Sequence, residues 1–130
     1  MFRRVDDSFW VSPQIATADL EAARALGVRV IVNNRPEGEA PDQVPGEEIK
    51  AAAEAQGLGY VAAPVRSGPT EAAVQAMTDA LAQGPVLAYC MSGTRSMLVW
   101  ALAQIVSGAR TRDETVALAR NAGFDLARWI

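Results

Sequence analysis

An α/β fold, with a mostly parallel sheet of four to five strands flanked by helices, is what the sequence predicts. Three observations carry that prediction. Short β-branched or apolar runs alternate along the chain with helix-patterned stretches of about ten residues or more, the order that right-handed crossovers require. The helix-patterned stretches end on glycines. The 130 residues are 50% hydrophobic and 21% charged, ordinary usage for a globular chain and enough for one core, so residues 1–130 are expected to form a single domain.

Phe9-Trp10-Val11 reads as an opening strand. Thr17 is the expected N-cap of a first helix, with Asp19 and Glu21 in its first turn, Leu20, Ala23 and Leu26 as its apolar face and Gly27 as its stop. Val28-Arg29-Val30-Ile31-Val32 follows as a buried strand, bounded by Asn33-Asn34-Arg35-Pro36. The segment from Asn33 to Gly46 contains three prolines and the carboxylates Glu37, Glu39 and Asp42, too irregular for an element, and reads as a functional or covering loop. Helices are expected over Glu47 to Gln56, Thr70 to Gln83 and Ser96 to Ser107, with strands at Leu58–Ala62 and Pro85–Tyr89 between them. Thr111-Arg112-Asp113-Glu114 is a capping box that opens a last long helix to Ala122, and Asp125 to Ile130 adds a final turn. Trp10, Trp100 and Trp129 are expected in the core or at an interface, because isolated aromatics in apolar runs fill space.

Composition removes whole classes of chemistry. There is no histidine, so imidazole acid–base catalysis, Ser-His-Asp and Cys-His nucleophiles and His-ligated metals are excluded within one chain. A single cysteine, Cys90, leaves no intramolecular disulfide and no thiolate metal cluster. No metal or organic cofactor is implied. Eleven of the twelve basic residues are arginine, and the only lysine, Lys50, lies in an Ala-rich helical stretch that gives a Schiff base no pocket. The formal net charge of -3 speaks against a nucleic-acid partner. The longest apolar stretch, Met97 to Val106, is about half of what spans a bilayer, and no secretory signal opens the chain. The expectation is a cytoplasmic protein with no membrane association.

In an open α/β sheet, ligands bind beyond the carboxyl ends of the strands. Two loops meet that condition: Asn33-Asn34-Arg35, and Cys90-Met91-Ser92-Gly93-Thr94-Arg95-Ser96. The second leaves a strand and enters a helix, so its free backbone N–H groups form an anion cradle. A thiol at the mouth of such a cradle has its anion favoured by the helix dipole, the amides and Arg95. Gly93 allows a tight turn, the hydroxyls of Ser92, Thr94 and Ser96 are available donors, and Arg95 offers a planar fork to an oxyanion. Met91 belongs to the same loop. Arg35 and Arg66 leave neighbouring strands and are further candidate anion ligands, against the alternatives of a loop tie for Arg35 and a solvated charge for Arg66.

Taken together, Val30-Ile31-Val32-Asn33-Asn34-Arg35-Pro36-Glu37-Gly38-Glu39, Pro64-Val65 and Cys90 to Ser96 resemble the beta-lactamase-hydrolase-like family, whose domain has a protein-phosphatase-like fold. The resemblance implies a cysteine-phosphatase-like sheet. It also implies Cys90 as nucleophile and Arg95 as anion-binding arginine, in a domain that occurs alone or fused to a metallo-beta-lactamase-type persulfide dioxygenase. The run Cys90 to Ser96 is also similar to the active-site loop of rhodanese-type sulfurtransferases.

Two chemistries compete for that loop. Protein phosphatases of this architecture have five residues between cysteine and arginine, whereas four stand between Cys90 and Arg95. A shorter ring is expected to suit a persulfide sulfur better than a tetrahedral phosphate. Tyr89 stands where the phosphatases carry a histidine, and Pro64-Val65-Arg66-Ser67-Gly68 offers no carboxylic acid to protonate a leaving oxygen, with Glu37, Glu39 and Asp42 as the available substitutes. The expected function is therefore a sulfurtransferase. Cys90 would take sulfur from thiosulfate or a persulfide donor and pass it to a thiol acceptor. A persulfide dioxygenase is then a candidate partner, and a homo-oligomer is compatible with this reading. The alternatives are a phosphatase using the same Cys90/Arg95 loop and a non-catalytic anion- or protein-binding module.

Overall fold

A computed structural model describes all 130 residues. Its five-stranded sheet is formed by β1 (Arg3–Asp6), β2 (Phe9–Ser12), β3 (Val30–Asn33), β4 (Gly59–Ala62) and β5 (Val86–Tyr89), in the order β1-β2-β5-β3-β4. All neighbours are parallel except β1 and β2. Helices cover both faces: α1 (Leu20–Ala25) and α2 (Gly46–Ala55) on one, α3 (Glu71–Gln83), α4 (Thr94–Val106) and α5 (Arg112–Asn121) on the other. No helix is long and apolar enough to cross a membrane.

The alternation of side chains along each strand sorts the core into two halves. Phe9, Val11, Val30, Val32, Val86 and Ala88 pack with Met77, Met97 and Trp100, while Trp10, Ile31, Leu87 and Tyr89 pack with Leu20, Ile49 and Ala53. Trp100 stacks on Phe9 with ring centroids 5.3 Å apart. Trp10 and Trp100 are core residues as expected, whereas Trp129 is 59% exposed. Asp125 to Ile130 contributes buried Leu126 and a turn closed by Trp129 N donating to Leu126 O at 2.8 Å, without becoming helix.

Several boundaries differ from the sequence reading for local reasons. β1 was not anticipated, because only Val5 of Arg3-Arg4-Val5-Asp6 is buried and the period-two signal is lost among charges. It is fixed by pairing with β2 through a turn in which Asp6 Oδ1 accepts from Ser8 N at 2.8 Å. The first helix begins as a 3-10 turn at Thr17–Asp19, and its N-cap is Ala16, whose N–H donates to Asp19 Oδ2 at 2.8 Å. Leu26 lies beyond the end of α1 and is 47% exposed, not on the buried face.

The capping box of α5 forms as read, and α3 is capped by Thr70, the residue at which its helix was expected to open. Thr70 accepts from Ala73 N at 3.1 Å. Thr111 accepts from Glu114 N at 3.2 Å, and Glu114 Oε1 from Thr111 N at 2.8 Å. Those bonds to Thr111 hold the Glu114 carboxyl below the usual range. Thr111→Ala removes one acceptor and is expected to cost about 1 kcal/mol. In urea unfolding this lowers the midpoint and leaves the slope unchanged; an unchanged midpoint would mean that the box does not hold the helix end.

The parallel registers align Ser12, Tyr89, Asn33 and Ala62 across the sheet. Four chain exits therefore lie along one edge, at the carboxyl ends of the strands. The exits are stitched together. Asn34 N donates to Tyr89 O at 2.9 Å, Val65 N to Asn34 O at 2.9 Å, Asn34 Nδ2 to Ala63 O at 2.8 Å and Gln14 N to Met91 O at 3.2 Å.

Candidate functional site

Cys90 follows β5 and is fully buried. The chain then turns through Met91, Ser92 and Gly93 and enters α4 at Thr94, two residues before the predicted start at Ser96. Gly93 has φ +99, a conformation that favours glycine, and a Cβ there would stand a tight 3.3 Å from Phe124 Cζ. The turn brings Gly93 N to 3.1 Å from Cys90 Sγ, to which it donates. The first backbone bond across the start of the helix runs from Met97 N to Gly93 O at 2.9 Å. The N–H groups of Arg95 and Ser96 thus lie ahead of the helical ladder, free to face an anion.

The loop's hydroxyls differ in environment. Ser92 Oγ donates to Thr94 Oγ1 at 3.3 Å, and both residues are exposed. Ser96 Oγ is buried and has no hydrogen-bond partner. Met91 is 58% exposed, and its carbonyl accepts from Gln14 N.

Arg95 bridges to the loop that follows β3. Its Nη1 donates to Glu39 Oε2 at 2.6 Å and to Val65 O at 2.8 Å, and its Nη2 to Glu39 Oε1 at 2.9 Å. Three of the five N–H donors are thereby used, which leaves Nε–H and one Nη2–H as an unspent fork. Arg35, only 7% exposed, donates from Nε to the same Glu39 Oε1 at 3.0 Å and from Nη1 to Gln14 Oε1 at 3.0 Å. The hydrogen bond from Arg95, followed by that from Arg35, holds the Glu39 carboxyl down at about 2. Reciprocally, Glu39 foremost, and then the Cys90 sulfur, raise Arg95 above its ordinary value.

Of the residues singled out in the sequence, Cys90, Ser92, Gly93, Thr94, Arg95 and Ser96 form one loop, and Arg35 reaches it through Glu39. Arg66 does not. It is exposed and makes no hydrogen bond or ion pair, and the preceding carbonyl, Val65 O, is what touches Arg95. The carboxylates considered as acids are otherwise employed. Glu39 is held ionised between two arginines, Glu37 Oε1 accepts from Gly46 N at 2.9 Å at the start of α2, and Asp42 is exposed. Sequence reasoning missed the bracing of Arg95 by Glu39 and Val65 and the contact of Gln14 with Arg35. The spacing of Arg35 and Glu39 in an irregular loop was the only available signal.

Tyr89 points to the other face of the sheet, where its hydroxyl is buried without a partner. Burial, then the neighbouring Tyr60, raises its pKa well above the usual phenol value. It supplies no proton donor to the Cys90 side.

Residues 1–107 match the family described as beta-lactamase hydrolase-like protein, phosphatase-like domain. Among curated relatives, the chain is 39% identical over 127 residues to a beta-lactamase hydrolase-like protein of Xylella fastidiosa, covering 95% of this chain and 30% of the relative. The protein of that name from Agrobacterium fabrum is 35% identical over 134 residues, covering 98% and 31%. The chain thus spans about a third of the length of the curated relatives it matches. Among solved structures, a proposed phosphatase from Neisseria meningitidis superimposes with a TM-score of 0.82 at 32% identity, covering 98% of this chain and 92% of that one. Tk-PTP in its active form shares the fold, with a TM-score of 0.73 at 19% identity over 95% and 85% of the two chains.

These findings overturn the sulfurtransferase reading and favour its phosphatase alternative. The error lay in the loop-length argument. The four-residue spacing between Cys90 and Arg95 does not by itself select sulfur over phosphate, since the family match and the Neisseria structure both point to a phosphatase-type domain.

Proposed function

The chain belongs to the beta-lactamase hydrolase-like family, in its phosphatase-like domain, and on that premise we propose that it is a cysteine-dependent phosphatase of phosphomonoesters. The observation that carries the proposal is the convergence of three features. Cys90 Sγ lies at the opening of α4, Gly93 N–H donates to it, and Arg95 is braced with its Nε/Nη2 fork unspent. In the proposed reaction Cys90 sulfur, as thiolate, attacks phosphorus and the ester oxygen leaves with its electron pair. Water then attacks the phosphocysteine, returning the thiolate and releasing inorganic phosphate. The loop amides and the Arg95 fork hold the non-bridging oxygens as negative charge builds on them.

No carboxylic acid stands ready to protonate the leaving oxygen, since Glu39 is held ionised and Glu37 caps α2. The substrates are therefore esters of acidic alcohols, aryl phosphates foremost. The test is phosphate release from para-nitrophenyl phosphate, phenyl phosphate and an alkyl phosphate, with orthovanadate as competitor. The rate is expected to fall steeply as the leaving alcohol becomes less acidic, by about tenfold or more from the nitrophenyl to the phenyl ester. Absence of release from every aryl ester would sink the phosphatase proposal. Equal rates for aryl and alkyl esters would show that an acid assists after all.

A further inference from the structure

A cleft of about 290 Å³ lies against the outer rim of the Cys90 loop, walled by Met1, Arg3, Pro13, Ser92, Gly123 and Phe124. It is continuous with the loop on two sides. Phe124 closes on Gly93, the residue whose amide reaches Cys90 Sγ, and Gln14, next to Pro13, donates to Met91 O. The cleft thus adjoins the loop proposed to hold the phosphate, on the β2 side, whereas Arg35 and Glu39 flank that loop from the β3 side.

Its chemistry is one-sided. Arg3 is the only side chain in the wall that carries charge, and it has no carboxylate partner. It is exposed at the surface but tethered. Nη1 donates to Ala122 O at 3.0 Å, and the guanidinium carbon lies 5.7 Å from the centroid of the Phe124 ring. Gly123, at φ +95, clears its place, because a Cβ there would run into the guanidinium. One of five N–H donors is used, so four remain on a cation held by one backbone bond and by the aromatic face. A tethered, unpaired cation over an aromatic face is suited to an anionic group carried on a planar apolar body.

We propose that this cleft is a specificity subsite that accepts the carboxylate-bearing leaving group of the phosphate ester, with Arg3 reading its charge and Phe124 its apolar body. The proposal rests on the phosphatase reading of the neighbouring loop and names the substrate class within it. Arg3 is a specificity residue that touches the leaving group away from the reacting phosphorus.

The test pairs carboxyphenyl phosphate with its neutral isostere carbamoylphenyl phosphate, as meta and para isomers, and reads the ratio of kcat/KM within each pair. The carboxylate-to-carbamoyl ratio of the wild type is expected to exceed that of Arg3→Gln by about tenfold in the better-fitting isomer. Arg3→Gln lowers that ratio by about tenfold, to the value set by the acidities of the two leaving phenols, Arg3→Lys lowers it less, and Arg3→Glu lowers it further than Arg3→Gln. Because each ratio is taken within one protein, a loss of folded fraction on breaking the Arg3–Ala122 bond cancels. Binding of the same compounds to Cys90→Ser, with and without Arg3→Gln, separates the two claims. Turnover with a ratio that the Arg3 substitutions do not alter overturns the subsite alone. No turnover by the wild type with Arg3-dependent binding overturns the phosphatase reading and leaves the subsite; neither turnover nor binding overturns both.

Discussion

Cys90→Ser is expected to lower aryl phosphate turnover by at least about four orders of magnitude while leaving the fold and orthophosphate binding in place. The size of the loss follows from composition. With no histidine in the chain and no carboxylate free beside the loop, nothing is positioned to activate a serine hydroxyl. The retention of fold follows from packing. Cys90 is fully buried and its sulfur accepts from Gly93 N, and a serine oxygen is smaller and accepts the same bond. Steady-state hydrolysis of para-nitrophenyl phosphate checks the first half, and the rise of the melting temperature with added phosphate checks the second. Residual activity within about tenfold of wild type would place the nucleophile elsewhere.

The fold was legible because its signals are local and redundant. The runs at Val30–Val32 and Val86–Tyr89 are apolar at every position, as fits central strands buried on both faces, and Gly27, Gly57 and Gly84 mark helix ends by positive φ. β1 was not legible, since its strand character comes from pairing with β2 and not from its own residues.

The site was half legible for a related reason. Cys90, Gly93 and Arg95 announce themselves within six residues, but the partners of Arg95 come from 56 and 30 residues away, and no local pattern encodes such contacts. Arg66 and Val65 make the point in one dipeptide. The charged residue drew attention as a ligand, yet it is the carbonyl of its neighbour that carries the contact. The count of four residues between Cys90 and Arg95 does not decide between sulfur and phosphate, and the helix start is a separate difference, at Thr94 after the cap at Gly93 and not at Ser96.

Glu39→Gln is the second large effect, and it acts on both activity and stability. The carboxylate fixes Arg95 through two hydrogen bonds and is also the only acid that pairs with Arg35, which is nearly buried. An amide accepts with one atom only, and its NH2 opposes whichever guanidinium nitrogen it faces, so the fork of Arg95 loses its fixed direction toward the loop. A fall in kcat/KM of about ten- to a hundredfold is expected, smaller than the roughly hundred- to thousandfold loss for Arg95→Lys, which removes the planar fork itself. Glu39 is a positioning residue, and the pH dependence separates it from a general acid.

Its carboxyl is held at about 2 in the folded chain against 4.5 ordinarily. A depressed folded value means that the ion pair adds its full stability above pH 4.5 and loses it as pH falls toward 2. The stability gap between wild type and Glu39→Gln, measured by urea unfolding across an acid series, should accordingly be constant near neutrality and close over that interval. A gap that persists undiminished at the acid end would mean that Glu39 acts by packing and not by charge, and Arg95 would then owe its orientation to Val65 O alone.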